Sequence, residues 1–180
     1  MNLIIKLLTI VLIAFFAGST FAQTLSSSDN PKYNSSINPK YTSSINPKYT
    51  SSINPKYTSS INPKYTSSIN PKYTSSINPK YTSSLNPRYT SSLNPKNSGW
   101  SGYYLYNTDA KLVGAVVVAN RENFSYFNSE LEWAGFFSTN GSGGYNWFNL
   151  DGEWIGYLVH NGEKGFNLFN LDGEWIGFLA

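Results

Sequence analysis

The sequence predicts an all-β fold: four 21-residue, two-stranded repeats forming a shallow pseudo-fourfold β-barrel, after a disordered or extended low-complexity repeat region. Three observations carry this. From Tyr103 onward, aromatic, asparagine, acidic and glycine positions recur at one constant spacing, as at Tyr103, Phe124, Tyr145 and Phe166, without a slip in register. Each repeat holds two runs of aromatic and β-branched residues separated by turn-forming Asn, Asp and Gly, the composition of a hairpin. All nine prolines fall at a strict octapeptide spacing, from Pro31 to Pro95, where they forbid a long helix or a central strand. The 180 residues thus divide into a signal peptide (1–22), an octapeptide-repeat linker (23–97) and a four-repeat β domain (98–180).

In residues 1–22, Met1 to Lys6 carries one positive charge and Leu7 to Ala17 is almost unbroken apolar sequence. Thr20-Phe21-Ala22 then fits a cleavage site, with Gln23 as the expected mature N-terminus. The apolar run is shorter than the ~20 residues that span a bilayer comfortably, which favours cleavage over an anchor. The protein is therefore expected to be exported: secreted, periplasmic or at the cell surface. The chain has no cysteine, which excludes disulfide staples, thiolate catalysis and cysteine-ligated metal.

From Asn30 to Lys96 the sequence repeats S-S-I-N-P-K-Y-T. Leu85 and Leu93 replace isoleucine, Arg88 replaces lysine, and Asn34 and Asn97 stand at a threonine and a tyrosine position. Asn-Pro opens a turn, so each octad reads as an N-P-K-Y turn followed by an extended T-S-S-I. Few apolar residues per octad oppose an ordering cost of roughly 1–2 kcal/mol per residue, so a flexible or loosely extended linker is expected. The alternative is a regular spiral of stacked turns burying Ile and Tyr. Fully extended, the ~70 residues reach on the order of 200 Å, a tether's length.

Charge separates the two halves. Residues 23–97 hold nine Lys/Arg and one acid, a net of +8, while 98–180 hold three basic and nine acidic residues, a net of −6. The basic segment, with a tyrosine in each octad, suits an anionic envelope polymer or nucleic acid. Its evenly spaced single charges point to no specific nucleic acid, and one lysine per octad also serves solubility alone. Docking of the tail on its own acidic domain is a third reading.

In the β domain, Asn-Leu-Asp-Gly at 149–152 and 170–173 suits a tight turn closed by left-handed glycine. Ala110 and Leu131 stand where the later units have that glycine, so the first two hairpins are expected to turn differently. Gly114, Gly135, Gly156 and Gly177 fall inside the second strand of each unit, which indicates a close backbone approach. Closure into a barrel removes the edges that an open eight-stranded sheet would leave. The segment 98–180 is rich in Phe, Tyr and Trp, which compensates for the limited core of so short a domain.

The repeated pattern aromatic-N-x-[DE]-G-x-W-[IVA]-G resembles the four-fold β-flower domain, in which four hairpin petals surround a shallow barrel. The resemblance covers about residues 102–180. Unit one departs most, with Leu112 at the tryptophan position and Ala110 at the turn glycine. It implies a non-catalytic domain and, through the likeness of such domains to tubby-like barrels, lipid or membrane binding.

No phosphate loop, zinc-ligand cluster or nucleophile elbow occurs. His160 lies alone in a turn and reads as an exposed loop residue. Asp151/Glu153 and Asp172/Glu174 sit in near-identical turns, without the unequal environments that separate the pKa values of a catalytic pair. No catalytic residue, metal ligand or cofactor is expected. The candidate binding residues are Trp133, Trp154 and Trp175 with Phe136, Tyr157 and Phe178. The strands carry apolar groups on both faces: one face fills the barrel, the other meets solvent, a partner or another copy. The tryptophans suit stacking on sugar rings, or they form core. The expected function is an exported, non-enzymatic binding or surface-display module that recognises glycan or membrane lipid. The alternative is a structural, self-assembling protein whose octads bind an anionic polymer or each other.

Overall fold

A computed structural model describes residues 25–162 and 165–180; the segment read as a signal peptide and its cleavage site lie outside the described residues. The C-terminal half contains eight strands: β1 (Tyr103–Asn107), β2 (Leu112–Val118), β3 (Asn123–Asn128), β4 (Trp133–Thr139), β5 (Tyr145–Phe148), β6 (Trp154–His160), β7 (Phe166–Asn170) and β8 (Trp175–Leu179). Each pairs antiparallel with the next, and β1 pairs with β8, so the barrel closes as expected and no edge is left free. Units one to four begin at Tyr103, Phe124, Tyr145 and Phe166.

Alternation along the strands makes two apolar layers. Leu105, Val116, Phe124, Phe137, Leu158, Phe166, Leu168 and Leu179 form the interior, with Tyr103, Tyr126, Tyr145 and Trp147 packed against them. Phe124 stacks on Tyr145 with centroids 4.2 Å apart, and Tyr145 meets Phe166 edge-on at 5.5 Å. The intervening residues face outward: Phe127, Phe136, Phe148, Tyr157, Phe169 and Phe178. These six are nonetheless no more than 2% exposed. Something covers the outside of the barrel.

The strand glycines act as the sequence indicated. Strand pairing slips by one residue at Leu105/Tyr106, Tyr126/Phe127, Trp147/Phe148 and Leu168/Phe169, once per unit. Beside each slip a glycine meets a carbonyl of the strand on its other side. A Cβ on Gly156 would lie 2.6 Å from the Phe169 oxygen, and one on Gly135 2.7 Å from that of Phe148. Gly114 and Gly177 crowd Phe127 and Tyr106 in the same way.

All four first hairpins turn alike, contrary to the expectation for units one and two. Ala110 and Leu131 adopt φ of 58° and 59°, against 81° and 80° for Gly152 and Gly173. The preceding asparagine imposes the geometry. Asn128 Oδ1 accepts from the N–H groups of Glu130 and Glu132 at 3.1 and 2.8 Å, and Asn107, Asn149 and Asn170 do the same in their units. These side-chain bonds, with the backbone bonds that close each turn, outweigh the Cβ penalty of one residue.

Of the two expectations for the octads, the regular spiral of stacked turns is the one found, and T-S-S-I is not extended. Eight 3₁₀ turns run from Ser35–Ile37 to Ser91–Leu93, each alternating with an Asn-Pro-Lys-Tyr turn. Asparagine joins them. Asn54 Oδ1 accepts from the Lys56 N–H at 2.8 Å, while its Nδ2 donates to the carbonyl of Pro47, one turn back, at 2.8 Å. Thr58 Oγ1 donates to the Ser51 carbonyl at 2.7 Å, and the same bonds recur along the spiral. The two irregular asparagines are its ends. Asn34 Nδ2 donates to the Ser28 carbonyl and Asn97 Nδ2 to that of Ser91, closing turns that have no further octad to stack on.

The spiral wraps the barrel as a belt. Asn167 Nδ2 donates to the Asp29 carbonyl at 2.8 Å, and Asn146 Nδ2 to the Ile53 carbonyl at 3.2 Å. Ile45 packs on Tyr157, Val159 and Phe169, and Ile53, Ile61, Ile69 and Ile77 are buried. From Asp29 to Ile53 the belt advances by three octads, while from Asn167 back to Asn146 the barrel advances by one unit. Three octads therefore face each unit, running from unit four towards unit one. Trp100 then packs on Tyr104 at 4.7 Å, and Tyr104 Oη donates to the Pro95 carbonyl at 2.9 Å, where the belt enters β1.

The shared turn geometry fixes the sign of two substitutions. Ala110→Gly removes a Cβ from the left-handed region and is expected to raise stability by about 0.5 kcal/mol, the strain relieved less the added chain entropy. Gly152→Ala is expected to lower it by about 1 kcal/mol. Thermal denaturation of the two variants checks both.

Candidate functional site

The six candidate residues lie along the seam between belt and barrel. Trp133, Trp154 and Trp175 open β4, β6 and β8, half-buried, each with a lysine ammonium over its ring: Lys80 at 5.9 Å, Lys56 at 5.9 Å and Lys32 at 5.3 Å from the centroids. Phe136, Tyr157 and Phe178 are fully buried, and Ile45 of the belt packs on the cluster that holds Tyr157. Trp175 stacks on Phe178 with centroids 6.4 Å apart and Trp154 packs on the cluster that holds Tyr157, so the three tryptophans stand one per unit rather than as one patch. Each tryptophan ring thus already carries one of the chain's own lysines. Leu112, at the tryptophan position of unit one, meets no octad lysine and is 48% exposed.

The seam contains residues that sequence reasoning passed over. Asn146 and Asn167 are buried amides on the outward face of β5 and β7, flanked by apolar residues; a polar residue at such a position was the available signal. Glu132 receives Arg88, whose guanidinium also donates to the Glu130 carbonyl at 3.1 Å; the side chains approach to 3.4 Å. This is the one ion pair among the described residues.

At unit three the equivalent position stays open. A cleft of about 490 Å³ lies between the belt and the β5–β6 hairpin. Lys56, Lys64 and Lys72, from three consecutive octads, line one side, and Asp151 and Glu153 the other, with Trp154 and Tyr73 supplying ring surface. Glu153 Oε2 accepts from Asn149 Nδ2 at 2.7 Å. Lys64 rests over Tyr65, 5.7 Å from its centroid.

The belt's outward side carries Tyr33, Tyr41, Tyr49, Tyr57, Tyr65, Tyr73, Tyr81 and Tyr89, all between 66% and 76% exposed. They occupy one position per stacked turn and so form a single file, each next to a lysine or Arg88. The alternative of a regular spiral had these tyrosines buried with isoleucine; only the isoleucines, and leucines in part, turn inward. His160 is exposed, its Nδ1 accepting from the Gly162 N–H at 3.1 Å. Among the described residues no His/Asp/Glu group is arranged to hold a metal ion, and no helix is long and apolar enough to cross a membrane.

Burial raises the pKa of four barrel tyrosines, Tyr106, Tyr126, Tyr145 and, most strongly, Tyr157. The Tyr157 hydroxyl has no protein partner, and Phe136 and Phe178 hold the same position in their units. Unfolded phenols ionise near pH 10, while burial moves the ionisation of these four to higher pH in the fold. The unfolded state then binds fewer protons, so stability falls as pH rises above about 10. Tyr157→Phe is expected to raise stability by about 1 kcal/mol at neutral pH and to flatten the alkaline fall, measured by urea unfolding at pH 7 and 10.5.

Comparison with protein-family models, curated proteins and solved structures returns no match.

Proposed function

We propose that the protein is an exported, non-catalytic binding module for an acidic glycan polymer, contacted through the octapeptide belt. The observation that carries this reading is the file of exposed tyrosines, each beside a cation, at a constant repeat. A repeating polymer offers matching groups at intervals: ring faces to the tyrosines, anionic groups to the lysines. The belt's net +8 favours such a partner at long range. Lipid is the weaker ligand, because the apolar outer face of the barrel is already covered by octads. Self-assembly through end-on stacking of octads is likewise disfavoured by the capping bonds of Asn34 and Asn97. Export rests on the sequence of residues 1–22. Four hairpins around one barrel support the β-flower resemblance, which also favours a non-catalytic role.

The test is binding of the mature chain to an immobilised acidic polysaccharide. Tyr41→Ser, Tyr49→Ser and Tyr57→Ser combined are expected to weaken it about ten- to a hundredfold, from three ring contacts of roughly 0.5–1 kcal/mol each. Added salt is expected to weaken it further. Unchanged affinity in the triple variant, with the thermal midpoint also unchanged, contradicts the reading.

A further inference from the structure

The belt's register makes units two and three directly comparable. Moving three octads along the belt and one unit along the barrel takes Arg88 to Lys64 and Glu132 to Glu153. At unit two the arginine spans the seam to Glu132 and to the Glu130 carbonyl. At unit three the lysine makes no such bridge, and the space remains as the cleft of about 490 Å³. Arg88 bridges the seam at unit two where Lys64 does not at unit three, and Asn97 stands at unit two where Tyr73 lines the cleft.

We infer that the unit-three cleft is a recognition site for a monosaccharide unit bearing an anionic group, within the acidic glycan; the inference rests on the function proposed above. The lining selects this ligand by elimination. A small inorganic anion would meet Lys56, Lys64 and Lys72 but also two carboxylates that repel it. A wholly apolar ligand would desolvate five charged groups with nothing to pair them. A sugar acid serves every group: its anionic substituent takes the lysines, its hydroxyls donate to Asp151 and to the remaining oxygen of Glu153, and its ring lies against Tyr73 and the Trp154 edge. Lys64 is the specificity-determining residue, because a lysine leaves the cleft open and offers a point charge, where an arginine reaches across and closes it.

The same pair recurs one unit on as Lys40 and Glu174, so the test variant carries both Lys40→Arg and Lys64→Arg. It conserves charge at exposed positions and leaves the tyrosine file intact. Calorimetric titration of the mature chain uses a tetramer of galacturonic acid and, as the neutral control, its methyl ester. The parent is expected to bind the acid and not the ester. The double variant is expected to lose at least tenfold in affinity. The double variant behaving as the parent overturns the cleft assignment while leaving the tyrosine-file reading standing. Failure of the parent to bind the acid, or equal binding of acid and ester, overturns both.

Discussion

The outward-facing aromatic layer of the barrel is the constraint on which the rest of the molecule depends. Closing eight short strands leaves room inside for only one set of side chains, yet every unit carries a second set of large rings on its outer face. Left wet, that layer would be an apolar surface far larger than a soluble monomer carries. The octapeptide belt covers it, and most belt features follow from that task. Isoleucine turns inward onto the rings, while tyrosine, lysine and serine remain outside. Three stacked turns face two strands because a belt lies on a wider circle than the barrel it encloses. Three covered units at three octads each account for the nine prolines. Unit one, where the chain passes from belt to barrel, is the unit that has Leu112 instead of tryptophan.

Asparagine is the residue that makes both repeats regular. In the belt one side chain accepts from its own turn and donates to the turn before it, which an ionised aspartate, having no donor, could not do. In the hairpins its oxygen accepts from two backbone N–H groups and holds four turns in one shape, including two without glycine. In β5 and β7 its amide donates to belt carbonyls. Electrostatics reinforces this pattern, since a +8 belt lies on a −6 barrel, but the close contacts are mainly lysine over tryptophan rather than ion pairs. Such contacts keep the ammonium partly hydrated and lose less to desolvation than buried pairs do.

The barrel was legible in the sequence because its determinants are local and repeated: the constant period, the turn residues and the strand glycines. The belt was legible as a period but not as a structure. One isoleucine per octad looks insufficient to order the whole octad when it is considered alone. Its partner is a ring in another part of the chain, Tyr157 for Ile45, and no local reading contains that pairing. Ala110 and Leu131 misled for a related reason, since a backbone preference was weighed without the asparagine bonds that override it. The tryptophans fit sugar stacking by residue type. The lysines lying over them are fixed by the register of three octads to one unit, a long-range property.

Small-angle X-ray scattering of residues 23–180 in moderate salt tests the wrapped architecture most directly. A chain whose octads encircle the barrel is expected to have a radius of gyration of about 15–16 Å, the value for a compact protein of this length. A radius above about 25 Å, as an unwrapped repeat segment trailing from the barrel would produce, would contradict it.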